Sequence, residues 1–304
     1  MDSARRPASR RTVLAWGAGA ALTAALTVSG NAHAAAPEGG IVRRLRELER
    51  RHDARLGVYA RDTATGKAVR YRADERFPVC SVFKPLAVAA VLRDLDRDGE
   101  FLARRIRYGE KEVTDSGYAP VTGMPGNLAS GMTVEELCDA AVRHSDNAAG
   151  NLLLRELGGP GAVTRFCRSL GDRTTRLDRW EPELNSAEPW RTTDTTTPDA
   201  IGRTYARLTL GTALAPKDRG RLTGWLLANT TGAAKLRAGL PAGWTVAEKT
   251  AGGKYGTNHD VGLAWPPRRA PLVLAVLTTK HEPDAAPDDP LIAETAALLA
   301  EALA

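Results

Sequence analysis

Ser81-Val82-Phe83-Lys84 sets a hydroxyl and an amine three residues apart. The apolar run 86–92 follows and reads as an opening helix, on which positions i and i+3 share a face. A serine hydroxyl is a poor nucleophile unless a neighbouring base takes its proton. Lys84 suits that task if burial and nearby cations lower its pKa. The plain alternative is a solvated helical lysine beside a serine. Three further groups follow in chain order. In His144-Ser145-Asp146-Asn147, Ser145 offers a hydroxyl that can relay a proton, and Asn147 an amide that both donates and accepts. Such a triplet also marks helix ends and turns. Trp180-Glu181-Pro182-Glu183-Leu184-Asn185 opens a long polar loop that ends near Pro198. There the Glu181 carboxylate can take a proton from a water that the Asn185 amide fixes in place. An ion pair of Glu181 with a loop arginine is the alternative. Last comes Lys249-Thr250-Ala251-Gly252-Gly253, at the end of an expected strand. Alternation puts Lys249 and Thr250 on opposite faces. Lys249 can depress a neighbouring lysine's pKa, and Gly252 lets its N–H approach an oxyanion closely. A strand end running into a glycine turn is the bland reading of that stretch.

The pattern of the chain predicts the elements that must position these groups. Ile41, Val42, Leu45 and Leu48 recur at helical spacing on an arginine-rich segment. Residues 56–62 and 67–72 read as two strands joined by the turn Thr63-Ala64-Thr65-Gly66. Residues 80–228 read as mainly helical, and Thr133-Val134-Glu135-Glu136 has the capping-box pattern that opens one of the helices. Strands return at 244–250, 261–265 and 272–279. Asp289-Pro290 then starts a final helix with Ile292, Ala296, Leu299 and Leu303 on one face. This order predicts an α+β fold: an antiparallel five-stranded sheet built from both chain ends, flanked by terminal helices, with an all-helical domain inserted. The expected division is 35–75 and 229–304 for the sheet domain, and 76–228 for the helical one. A cleft between them is the natural place for a site.

Residues 1–34 read as an export leader. Arg5, Arg6, Arg10 and Arg11 precede an apolar stretch that ends in Asn31-Ala32-His33-Ala34, an A-x-A-like cleavage site. Ser9-Arg10-Arg11-Thr12-Val13-Leu14 is similar to a twin-arginine signal. Gly17, Gly19, Thr23 and Thr27 interrupt the stretch, which argues against a membrane anchor. Without the leader, which also carries Asp2, the formal charge falls from +6 to +3, too mild and dispersed for a nucleic-acid partner. Cys80, Cys138 and Cys167 do not make a disulfide framework, though one pair is open to them. Cys80 reads as a buried small residue. The five histidines have no metal-ligand spacing. Ser81 lies in no Gly-x-Ser-x-Gly elbow, which disfavours a lipase-type esterase.

In this order and with these separations, the four groups resemble the class A serine β-lactamases, over the whole chain beyond the leader. The stretch 180–185 is the most specific part and is similar to that family's omega loop, here 176–198. The resemblance implies hydrolysis of β-lactam amides without metal or organic cofactor, by a chain that is a monomer by default. It implies Ser81 as nucleophile, the N–H groups of Ser81 and Gly252 as oxyanion hole, and Lys84, or Glu181 through a water, as acylating base. Ser145 would pass a proton to the leaving nitrogen, and Glu181 with Asn185 would activate the deacylating water. Asn147 would hold the substrate's side-chain amide, Lys249 and Thr250 its carboxylate, and Tyr118 would stand at the cleft mouth. Arg179 and Asp194 would pin the loop, with a cis bond before Pro182. Two features depart from the family pattern. Ala251 stands where glycine is usual, with its methyl expected toward the Ser81 helix. Lys235 is expected to supply the carboxylate's counter-charge as a point charge rather than a fork. The rival readings are a D,D-peptidase-like penicillin-binding enzyme and a noncatalytic penicillin-binding or sensor module.

Overall fold

The structure, a computed structural model, describes residues 38–303; the expected leader, 1–34, lies outside the described residues. In chain order come helix α1 (Glu38–Arg51), strands β1 (Arg55–Asp62) and β2 (Ala68–Tyr71), helices α2 (Lys84–Ala90), α3 (Val134–Arg143), α4 (Asn147–Glu156) and α5 (Pro198–Thr209), strands β3 (Thr245–Gly253), β4 (Thr257–Trp265) and β5 (Leu272–Thr279), and helix α6 (Asp289–Leu303). The five strands form one antiparallel sheet in the order β2-β1-β5-β4-β3, so both chain ends build it, as the sequence predicts.

Each face of the sheet has its own core. Leu272, Leu274 and Val276 point outward and pack with Leu45, Leu48, Ile292 and Leu299 of α1 and α6. Val273, Ala275 and Leu277 point inward, into a core that holds Leu86, Leu137, Phe166 and Ile201 from the helical block. A strand buried on both faces reads as an unbroken apolar run, which is why β5 shows no alternation in sequence. Helix α2 is buried all round, so it is apolar all round apart from Lys84. The Thr133 capping box forms as expected, with Oγ1 accepting from Glu136 N and the Glu136 carboxylate accepting from Thr133 N.

Strand β3 differs from expectation. It continues through Gly252 and Gly253, and the turn comes later, with Tyr255 and Gly256 at positive φ. The glycine at 253 serves close approach rather than a turn. A Cβ there would meet Asn185 O at 2.8 Å and Cys80 Sγ at 3.0 Å. A two-stranded ladder of Phe77–Pro78 with Thr195–Thr196, not predicted, ties the loop's far end to the segment before Ser81. Cys80, Cys138 and Cys167 are all free and buried, which settles the open question of a pair. Among the described residues no helix is long and apolar enough to cross a membrane.

Candidate active site

Ser81 lies in a 3-10 turn, Cys80–Phe83, that runs directly into α2. Cys80 takes a left-handed backbone, φ 39°, which costs a non-glycine residue on the order of 1–3 kcal/mol. Burial pushes its thiol pKa up, so Cys80 is packing and not a second nucleophile. Lys84, one turn on, is fully buried. Its Nζ donates to Ser81 Oγ at 3.0 Å, Ser145 O at 2.7 Å and Asn147 Oδ1 at 2.6 Å. An ammonium has three protons, so these bonds use them all. Glu181 Oε1, 3.1 Å from Nζ, is therefore held by charge alone.

Ser145 also has a left-handed backbone, φ 58°, and turns the chain into α4. Asp146 caps that helix through Ala149 N at 2.8 Å. The same buried carboxylate accepts from Val121 N and Thr122 N, both at 2.9 Å, and so fixes the loop after Tyr118. Asn147 Nδ2 donates to Ser116 O at 3.0 Å, and its N–H donates to Tyr118 O at 2.8 Å. One Nδ2 proton of Asn147 stays uncommitted. Tyr118 itself is 57% exposed, at the rim.

From the sheet side, Lys249 Nζ donates to Ser145 Oγ at 2.9 Å and Thr250 O at 2.8 Å. Both acceptors are neutral. Burial holds the Lys249 pKa well below the usual lysine range, and the charges of Lys84 and Lys235 push it further down. The expected repulsion between the lysines is thus felt at Lys249. Thr250 Oγ1 lies 2.5 Å from Thr231 Oγ1, which donates in turn to Asn229 Oδ1 at 2.8 Å. Gly252 follows on the same strand, with Asn258 as its cross-strand partner. Lys235 hydrogen-bonds to the Asn258 side chain and lies 3.6 Å from Asp289, so its charge is anchored beside β4 and partly balanced there. Ala251 is buried in the inner core together with Cys80 and Val82, on the face its spacing predicts.

The loop carries Glu181 into the same cluster. Arg179 Nε bonds Asp194 Oδ2 at 2.6 Å, and Asp194 Oδ1 accepts from Asp178 N and Arg179 N. The loop arginine is thus engaged elsewhere, and Glu181 pairs with Lys84 instead. The Glu181-Pro182 bond is cis. Asn185 Nδ2 donates to Glu181 Oε2 at 2.5 Å. Glu181 Oε1 and Asn185 Oδ1 are buried and accept no hydrogen bond from the described residues. Asn151, not singled out by sequence, holds the main chain of Glu181 from both sides: Glu181 N donates to its Oδ1 at 3.0 Å, and its Nδ2 donates to Glu181 O at 2.9 Å. Its position four residues after Asn147, on one helix face, was the available signal. Thr231 was missed as well; it lies in a turn-like Asn229-Thr230-Thr231-Gly232 stretch with no local mark of its role. Among the described residues no three His, Cys, Asp or Glu side chains are grouped as a metal ion would need.

Comparison with known proteins agrees with this geometry. A model described as the β-lactamase enzyme family matches residues 40–303. A β-lactamase of Streptomyces lavendulae is 69% identical over 297 residues, 97% of this chain and 97% of its own. One of Streptomyces fradiae is 64% identical over 304 residues, 100% of this chain and 99% of its own. The solved β-lactamase from Streptomyces albus G matches with a TM-score of 0.86 at 65% identity, covering 87% of this chain and 100% of that one. An ancestral class A β-lactamase matches with a TM-score of 0.81 at 52% identity, covering 86% of this chain and 99% of its own. With likeness of this extent in sequence and in fold, the chain belongs to the class A β-lactamase family.

Proposed function

We propose that this chain is an exported monomer that hydrolyses the amide bond of penicillin- and cephalosporin-type β-lactams through an ester on Ser81. Ser81 Oγ attacks the lactam carbonyl carbon, and the N–H groups of Ser81 and Gly252 receive the developing oxyanion. The hydroxyl proton leaves to Lys84 once its ammonium has passed a proton to Glu181 Oε1, 3.1 Å away, or it leaves to Glu181 through a water. The C–N bond then breaks and Ser145 gives a proton to the leaving nitrogen. In the second half, Glu181 takes a proton from a water oriented by Asn185. That water attacks the ester carbon, the C–O bond breaks, and Ser81 regains its hydrogen. Asn147 binds the substrate's side-chain amide with its uncommitted proton. Thr250, Lys249 and Lys235 face its carboxylate, and Tyr118 borders the entrance between a sheet domain, 35–75 and 229–304, and a helical domain, 76–228. The leader pattern around Arg10-Arg11 supports export by the twin-arginine route. The substrate is a small molecule, and neither nucleic acid nor a membrane anchor enters the reading.

One observation carries the hydrolase reading over its rivals: in the bonded pair Glu181–Asn185, beside Lys84, two buried acceptors, Glu181 Oε1 and Asn185 Oδ1, have no donor from the described residues. Buried acceptors of this kind call for a water. The test mixes the mature chain with excess chromogenic cephalosporin. Product well beyond one equivalent, lost in Ser81→Ala, supports the hydrolase. A burst that stops at one equivalent supports a D,D-peptidase-like enzyme or a noncatalytic penicillin binder. No adduct at all removes all three readings.

A further inference from the structure

The turn that carries Ser81 is entered from the short ladder at Phe77–Pro78, and Val79 N donates to Asp194 O at 2.7 Å. The residue before Ser81 is strained, at φ 39°, and α2 begins only three residues after it. Two main-chain carbonyls in this stretch are also gripped by side chains from opposite layers. His259, on β4, donates from Nε2 to Pro78 O at 2.8 Å. Tyr205, on α5, donates from Oη to Val82 O at 2.9 Å. Both side chains are buried.

The chemistry of His259 is fixed by its neighbours. Thr278 N–H can only donate, and it meets Nδ1 at 3.1 Å. Nδ1 therefore carries no proton. Pro78 O can only accept, so Nε2 carries one, and the two contacts agree on a single neutral tautomer. The Phe77 ring stands edge-on to the imidazole, with centroids 6.5 Å apart and planes at 85°, which sets the ring's plane. A buried imidazole with a fixed tautomer and a fixed plane makes a directional donor. Neither His259 nor Tyr205 hydrogen-bonds to Lys84, Ser145, Glu181 or Lys249, so neither belongs to the proton-transfer cluster.

We infer that His259 and Tyr205 are positioning residues for acylation: they hold the carbonyls of Pro78 and Val82, and so aim the strained Cys80-Ser81 turn at Lys84 and Ser145. The inference rests on Ser81 being the nucleophile. Acylation depends on it most, because before the ester forms the hydroxyl is placed by this turn and by its one hydrogen bond with Lys84 at 3.0 Å. After the ester forms, contacts with Gly252, Thr250 and Asn147 also hold the reacting carbonyl.

The test measures acylation by stopped flow and deacylation by intact mass, for Tyr205→Phe, His259→Leu and His259→Gln. Tyr205→Phe and His259→Leu should slow acylation about tenfold, with deacylation and noncovalent binding changed by less than about twofold. His259→Gln, which can present an N–H near the Nε2 position, should recover most of the loss. Tyr205→Phe removes one oxygen and keeps the ring, so it carries the test if His259→Leu does not fold. Variants that acylate at the parent rate, even with lowered thermal stability, overturn the inference. Equal losses in acylation and deacylation overturn it as well. A parent that forms no adduct at Ser81 removes the underlying hydrolase reading instead.

Discussion

Acid should destabilise this protein partly through one imidazole. Burial holds His259 neutral and lowers its pKa from 6.5 to about 4; the Lys235 charge lowers it too, while the backbone groups of Pro78 and Asn258 pull the other way. In the unfolded chain the ring returns to its ordinary value. Between those two pKa values the unfolded state binds the extra proton, so stability falls as pH drops through the window and is recovered as pH rises. A gap of about 2.5 in pKa, at roughly 1.36 kcal/mol each, amounts to about 3 kcal/mol in total. About 2 kcal/mol of that should be lost between about pH 7 and about pH 5, before most carboxylates titrate. Glutamine cannot take up the proton. Urea unfolding of the parent and of His259→Gln at both pH values isolates the effect, because every other titrating group is shared. The parent should lose about 2 kcal/mol more than the variant over that interval. Parallel losses would show that the ring is not held neutral against Thr278 N–H, and the tautomer argument would fall with it.

Other perturbations test the rest of the site. Glu181→Gln removes the base for the second step, and the penicilloyl adduct on intact mass should outlast the parent's by roughly 10²–10⁴-fold; loss at the parent's rate refutes that role. Asn151→Ala strands the N–H and C=O of Glu181, at about 2–4 kcal/mol, which should lower the thermal midpoint by roughly 5–15 °C and slow deacylation; an unmoved midpoint contradicts the two bonds. Ala251→Gly should raise initial rates for bulky cephalosporins if the methyl narrows the cleft, and equal rates dispose of that idea. Lys235→Ala should raise KM for penicillins several-fold with kcat nearly constant; an unaltered KM means that Asn258 and Asp289 fully absorb its charge.

The elements were readable where one rule governed a local stretch. Helix α3 follows from a capping box, and it begins directly after Thr133 as that pattern predicts. Strand β5 follows from an unbroken apolar run. Errors came where local signals carried a second meaning. Strand β3 was expected to end at residue 250, but it runs on through Gly253, where glycine permits the close approach of Asn185 and Cys80. The ladder at Pro78 was unreadable because its partner, Thr195, lies on the far side of the omega loop. Asn151 looks like any helical amide until the loop closes over it.

The kinds of chemistry available were set by residue type and short spacing: a hydroxyl and an amine on one helical turn, a carboxylate four residues before an amide, a lysine near a strand's end. Those relations are local, so they survive in a linear reading. Which groups meet depended on packing. Lys249 reaches Ser145 across 104 residues, at 2.9 Å. His259 meets Pro78 across 181 residues and Tyr205 meets Val82 across 123, and nothing near either residue names its partner. Hydrogen bonds and charge effects act over a few ångströms of space, and the distances between remote segments exist only once the sheet and helices have closed around them.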